Sequence, residues 1–384
     1  MKAPSWPMRE VAFSTLLLLA SCTNDASGPA SDAATTDARG LADAAPRSDG
    51  ASIEDAGSLF DAASVSDAAS TPEAAPISDA LETSDIRATS DAGGGAATAT
   101  SRQLAIPIRN QWTNADGYCG ETSIQAIALY YGTWVSQGLV RTLAGGEVLL
   151  GVNATVPLDD LGFTYTQWNS SAPDSQFDDF MVWLKTNLLA GYPPFFAAYL
   201  SDGNDPDYDH IMPASGIAST SASAFLATDV LTYSDNFGDV ITRAATLLSA
   251  TRQTCSYSST EGGCIPTDVD YGIAVTGVAD PSGVTFPVTL TIPGNSEPNV
   301  SENDAAATEV TGTVTVSGLA AGNSYALLRY DDYTNVPTSG SAAGFLASSY
   351  TYKTDFVAAG PTWALTDPKT IVSSGASIYR CVAQ

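Results

Sequence analysis

The sequence predicts an α+β fold that ends in an all-β, sandwich-like domain. Three observations carry this. Apolar residues recur at the helical spacing between Cys119 and Ala190. From Pro193 onward they fall instead into short β-branched and aromatic runs separated by Gly, Pro, Asn and Ser. Between residues 23 and 103 large apolar residues are scarce, so that part of the chain has nothing to offset the entropy of ordering it.

Residues 1–22 read as an export signal. Lys2 and Arg9 precede the apolar run VAFSTLLLLA, which is too short to span a bilayer. The segment ends in Leu19-Ala20-Ser21-Cys22, which is similar to the lipobox of bacterial lipoproteins. That resemblance implies cleavage before Cys22 and a lipid on its thiol, with the acyl chains buried in the bilayer as an anchor. Thr23 stands where an Asp would favour the inner membrane, so the expected location is the cell envelope at the outer membrane. Residues 23–103 are built from Ala, Asp, Ser, Thr and Gly, with SDA recurring at Ser31, Ser66, Ser78 and Ser90. Such a segment repels itself and is expected to be a disordered, extended tether.

Residues 104–267 form the first expected domain. The helix beginning at Cys119 carries Ile124, Ile127, Ala128 and Tyr131 on one face, and Gly132 stops it. A second helix is expected over Val135–Ala144, and a third over Gln176–Ala190 with Ser175 as its N-cap, Asp178 completing the pair and Gly191 ending it. Phe177, Phe180, Leu184 and Leu188 make the buried stripe of the third, flanked by Trp183. PPFFAAYL, HIMPASGIAS and VLTYSD then read as strands, the last closed by the turn Asp235-Asn236-Phe237-Gly238.

Residues 268–384 are the second expected domain, with GIAVTGV, PVTLTI, TGTVTVSG and YALLRY as its strands. Ser317–Tyr330 resembles a turn of fibronectin type III domains. In that resemblance the Tyr325 hydroxyl ties the loop to the sheet. Cys255 and Cys264 bracket a short Gly- and Ser-rich loop and are the candidate disulfide of an exported protein; Cys381 is left over.

Composition removes several functions. The formal net charge is −27, from 42 acidic and 15 basic residues, and such a surface repels nucleic-acid phosphates. One histidine, His210, removes histidine-rich metal sites, the cysteines form no C-x-x-C pair and read poorly as metal ligands, and no cofactor is expected. Any imidazole base must be His210.

The order Gln111, Cys119, His210, then Asp235 or Asn236 resembles the papain-fold cysteine peptidases, and most closely the bacteriocin-leader (double-glycine) peptidases. Gln precedes Cys-Gly at a helix start, the His opens a strand after the apolar strand GYPPFFAAYL, and an Asp closes the next strand. The resemblance covers Leu104 to Asp239 and implies a thiol-dependent hydrolase of peptide bonds. Chemistry agrees with it. A thiol at a helix start meets unpaired N–H groups and the positive end of the helix dipole, which favour thiolate. His210 would take the thiol proton, and Asp235, or Asn236 as the alternative third member, would orient its ring. Gln111 and the Cys119 N–H would hold the oxyanion.

The expected partners are thus a peptide or protein substrate and, through Cys22, a lipid bilayer; oligomeric state is not legible. Two rival readings use the same residues differently. One is a non-catalytic surface binding module on a degenerate peptidase fold, with Ca²⁺ on the acidic stretch Asp202–Asp209. The other is acyl transfer to an amine rather than to water.

Overall fold

Helix α1 (Cys119–Tyr130) is enclosed on every side, each residue from Cys119 to Leu129 being buried. The sequence reading gave it a single buried face. Its small and hydroxyl-bearing residues explain the difference, because they allow close packing and satisfy their own polar atoms. Thr122 Oγ1 and Ser123 Oγ donate to the carbonyls of Tyr118 and Cys119 at 2.7 and 2.8 Å. A Cβ on Gly120 would lie 2.7 Å from Val148, so the residue after Cys119 has to be glycine. Gly132, at φ +68°, turns the chain out of the helix as expected.

This computed structural model describes residues 100–111, 117–173, 175–200, 208, 210–251, 254–255, 263–294, 309–338, 340–367, 371–372 and 375–384. The export signal, Cys22, the tether before residue 100 and the acidic stretch apart from Tyr208 lie outside the described residues. The described residues are mixed α and β with strands predominating, in several sheets. No helix among them is long and apolar enough to cross a membrane.

The larger sheet contains β1 (Ser101–Gln103), β3 (Phe163–Gln167), β4 (Pro194–Ala198), β5 (His210–Ala218), β6 (Val230–Ser234), β7 (Val240–Ala244) and β10 (Gly272–Val278). Its order is β3-β10-β4-β5-β6-β7, with β1 beside β5. One face packs on α1 through Phe195, Ala197, Ile211 and Val275. The other packs on α4 (Phe177–Ala190) through Phe196, Ala198 and Met212 against Phe180, Leu184 and Leu188. Doubly covered, β4 is buried at every position, which is why its sequence is a continuous apolar run. Helix α2 (Gln137–Ala144) packs beside α1, and α3 (Thr155–Asp160) packs on α2 and β3. Beyond β7 come the single turn α5 (Ala245–Leu248) and a short parallel pair, β8 (Ser249–Ala250) with β9 (Ile265–Pro266). Between that pair lies the Cys255–Cys264 disulfide, as expected.

Two further sheets face each other. One contains β11 (Thr285–Phe286), β15 (Ser324–Tyr330), β16 (Tyr352–Val357) and β19 (Ala376–Ala383), in the order β11-β19-β15-β16. The other is β12 (Val288–Thr291), β14 (Thr313–Ser317) and β17 (Thr362–Thr366). Val288, Leu290, Val314 and Val316 meet Leu327, Tyr379 and Cys381 in the core between them. Cys381 is a free, buried thiol there, and burial pushes its pKa up to about 12. A two-stranded pair, β13 (Glu309–Val310) with β18 (Ile371–Val372), and helix α6 (Ala342–Leu346) complete this part. Tyr325 Oη accepts from Ala320 N–H at 2.8 Å, so the hydroxyl does tie the preceding loop back to the sheet.

Several expectations need correction. The boundary at 267/268 does not separate two sets of strands. Strand β10 lies between β3 and β4 of the larger sheet, and β2 (Thr133–Val135), directly after α1, pairs with β19 near the other end of the chain. Leu129 and Trp134 accordingly sit in the core of the facing sheets. Ser175 does not cap α4: its φ is +68°, and the helix begins at Phe177 without a side-chain cap. Ser136, which the sequence reading placed inside the second helix, is the cap of α2 and accepts from Leu139 N–H at 3.0 Å. Strand β1 begins at Ser101, inside the stretch read as tether.

Candidate functional site

The site is built around the turn between β6 and β7. Asn236 has φ +61°, a left-handed conformation that Asn tolerates better than most residues. The turn is held from within by the Asp235 carboxylate, whose Oδ1 accepts from the N–H groups of Phe237 and Asp239 at 2.9 and 3.0 Å. Burial raises the pKa of this carboxyl, against the pull of those two donors. With the turn fixed in this way, two successive carbonyls point at the site. Asp235 O lies 2.7 Å from His210 Nε2, and Asn236 O accepts from the Gln111 backbone N–H at 2.7 Å.

His210 opens β5 and is fully buried, its ring stacked on Phe237 with centroids 5.1 Å apart and planes 5° from parallel. A carbonyl can only accept, so the proton of the neutral ring belongs on Nε2 and the lone pair on Nδ1. The ring is therefore oriented by a backbone carbonyl. The sequence reading gave that role to the Asp235 carboxylate or to the Asn236 side chain; both side chains are engaged elsewhere.

The Asn236 amide is a clamp. Its Nδ2 lies 3.0 Å from Cys119 O, 3.0 Å from Ser123 Oγ and 2.9 Å from Ile211 O. It thus ties the first turn of α1 to the strand that begins with His210. Ser123 Oγ makes a second tie, to Ile211 O at 3.2 Å. Gln111, Cys119, His210, Asp235 and Asn236 are brought into one hydrogen-bonded neighbourhood. Gln111 is buried, and its Oε1 has no hydrogen-bond partner among the described residues.

Cys119 is buried at the start of α1 and stands in a disulfide whose other half lies outside the described residues. The sequence reading expected a thiol here. In this state the sulfur is not a nucleophile, and thiol chemistry requires that bond to be opened. Two residues on, Glu121 is fully buried; Oε1 accepts from Arg141 Nε at 2.8 Å and from Val148 N–H at 3.2 Å. Burial raises its pKa, opposed by the Arg141 charge. The same guanidinium lies over the Tyr118 ring at 3.5 Å and bonds the Gly117 carbonyl. Glu121 therefore fixes Arg141, which in turn holds the chain entering Cys119.

No family model, curated protein or solved structure matches the chain.

Two buried charged features had no signal in the sequence. Asp270 is fully buried with no hydrogen bond to either carboxylate oxygen among the described residues. It lies beside Tyr208, which stacks on Tyr199 and meets Tyr271 edge-on. Burial, reinforced by the Asp268 charge, pushes its pKa up to about 8. On the α4 side of the sheet Lys185 and Asp229 form a buried ion pair at 2.5 Å. Lys185 Nζ also donates to Ser219 Oγ, Ser221 O and Ala224 O, which ties down the loop between β5 and β6. The described residues contain no cluster of three or more His, Cys, Asp or Glu able to hold a metal ion.

Proposed function

We propose that the chain is an exported, lipid-anchored thiol hydrolase of peptide bonds, with Cys119 as nucleophile and His210 as base. The observation that carries the reading is the Asn236 clamp, which joins the Cys119 turn to the His210 strand while the adjacent carbonyl orients the imidazole.

With the sulfur reduced, His210 Nδ1 takes the thiol proton and the thiolate adds to the scissile carbonyl. The oxyanion formed is held by the Cys119 backbone N–H and the Gln111 side-chain amide. The imidazolium returns its proton to the leaving nitrogen as the C–N bond breaks, which frees an amine and leaves a thioester. Water then adds to the thioester, His210 receives its proton, and collapse releases a carboxylic acid and the thiol. With an amine in place of water the same residues would transfer the acyl group. Anchoring is through a lipid on the Cys22 thiol, at the cell envelope; a lipidated Cys22 cannot pair with Cys119, so in the anchored form the Cys119 sulfur is a thiol.

The test is peptide hydrolysis by the full chain under reductant. Cys119→Ala and His210→Gln are each expected to lower the rate by three orders of magnitude or more, roughly. Wild-type rates in either variant would remove the mechanism. One observation favours a second reading: the disulfide at Cys119 suits a non-catalytic surface binding module on the same fold. That reading expects no hydrolysis at any reductant concentration.

A further inference from the structure

A buried polar network holds the arm that carries Gln111, and the chemistry above gives it no task. Residues 104–111 lie in neither helix nor strand, so the position of Gln111 depends on what its neighbours bind. The Gln111 N–H is taken by Asn236 O at 2.7 Å. One residue back, the Asn110 carbonyl accepts from Gln137 Nε2 at 2.9 Å. Two residues back, Arg109 is buried; its Nε donates to Gln125 Oε1 at 3.1 Å and its Nη1 to Gly294 O at 2.9 Å. The guanidinium lies 5.4 Å from the centroid of the Trp134 ring. Gln125 and Gln137 are fully buried; Gln137 Nε2 reaches Gln125 Oε1 at 3.3 Å, and Gln125 Nε2 reaches Val135 O at 2.8 Å. Three long polar side chains thus stand where apolar ones would spare the cost of desolvation.

What the network does follows from where it ends. The oxyanion is held only if the Gln111 amide arrives where the charge forms, and a displacement of about 1 Å can cost up to about a hundredfold in rate. We propose that Gln137 and Arg109 are positioning residues that set the Gln111 amide for the oxyanion. The inference rests on the hydrolase reading above. Gln137 fixes the carbonyl next to Gln111 from the first turn of α2. Arg109 fixes the arm from the facing sheets, because Gly294 follows β12 and Trp134 lies in their core. The oxyanion donor near the start of the folded chain therefore depends on strands that follow much later.

The experiment is steady-state hydrolysis by the full chain under reductant, on one fluorogenic peptide drawn from a library by wild-type cleavage. Gln137→Met keeps the length of the side chain and removes both N–H donors; it is expected to lower kcat about tenfold with KM unchanged. A peptide aldehyde of the same sequence takes the thiol at its carbonyl carbon and leaves its oxygen where the oxyanion forms, so its affinity should fall by the same factor. Gln111→Ala alone should cost about a hundredfold in kcat, and adding Gln137→Met to it should cost less than about twofold more. Arg109→Lys reads the same network where Gln137→Met does not fold, with about a threefold loss of kcat that likewise disappears in the Gln111→Ala background. Iodoacetamide labelling of Cys119, which forms no oxyanion, is expected to be unchanged in these variants. If labelling depends on His210 but Gln137→Met costs nothing, or costs the same with and without Gln111, the positioning role is overturned and the thiolate pair stands. If labelling is indifferent to His210, the hydrolase reading fails and the inference falls with it.

Discussion

Two buried aspartates, one in each part of the molecule, are held in opposite ways. Asp367, within the facing sheets, accepts from Arg329 at 3.0 Å and from the Tyr379 hydroxyl at 2.5 Å. Arg329 in turn holds Asp331 at 2.6 Å, and Ser377 bonds the same Asp331 oxygen. That network compensates its own desolvation. Asp270, beside the tyrosines of the larger sheet, has no such partner among the described residues, and the charge that bears on it is another carboxylate, Asp268. The larger sheet keeps an uncompensated group close to the His210 strand, where Tyr208 is two residues before the imidazole.

The largest expected effect tests this contrast by pH. The folded-state pKa of Asp270, about 8, lies above the ordinary carboxyl value of 3.8. The folded protein therefore binds the Asp270 proton more tightly than the unfolded chain does. Stability from this source is fully present below the ordinary value and is lost as pH rises to about 8, by up to roughly 5 kcal/mol. Denaturant melts of wild type and Asp270→Asn from about pH 5 to about pH 9 should diverge, the variant having the flatter profile. Parallel curves would show that Asp270 is compensated in solution.

Breaking the compensated network comes next. Arg329→Ala leaves Asp367 buried and under-paired and is expected to cost about 3–5 kcal/mol at neutral pH, with no change in the chemistry of Cys119. A loss under about 1 kcal/mol would mean the network is solvated. Asn236→Ala removes both N–H donors of the clamp, which three acceptors share, and is expected to cost about 2 kcal/mol. It should also lower turnover per folded molecule, because the Cys119 turn and the His210 strand lose their tie. The smallest effect is expected from Asp235→Asn. The turn keeps its side-chain acceptor and the carbonyl on His210 is untouched, so turnover should change by less than about threefold. A catalytic carboxylate would give a loss nearer 10⁴-fold, roughly. The site thus assigns more to Asn236 than to the Asp235 carboxylate, the reverse of what residue types alone suggest.

Much of the framework was legible because it follows local rules. The stop at Gly191, strands β4 to β6 and their closing turn, the Cys255–Cys264 bridge and the Tyr325 hydroxyl all follow from spacing, turn chemistry or resemblance. What was missed depends on long-range pairing. Nothing in Thr133–Val135 announces β19 as its partner, and GIAVTGV reads the same in either sheet. At the site, Gln111, Cys119 and His210 were singled out from residue type and order, and the structure brings them into one neighbourhood. The orienting group was not, because a backbone carbonyl has no residue signature, and neither does the left-handed turn that aims it. Glu121 looked foreign after Cys-Gly until its buried pair with Arg141 gave it a structural role. Asp270 is invisible in sequence, since only three-dimensional burial without a partner makes it unusual.

The central claim is the thiolate–imidazole pair, and alkylation of Cys119 tests it most directly. The full chain would be reduced and treated with iodoacetamide from about pH 5 to about pH 8, with labelled peptides mapped to distinguish Cys119 from the other cysteines. Wild type is expected to label at Cys119 quickly, with the rate persisting at the acidic end, and His210→Gln should label slowly there. An ordinary thiol profile at Cys119, unchanged by the substitution, would contradict the account and leave the non-catalytic binding module as the reading of this fold.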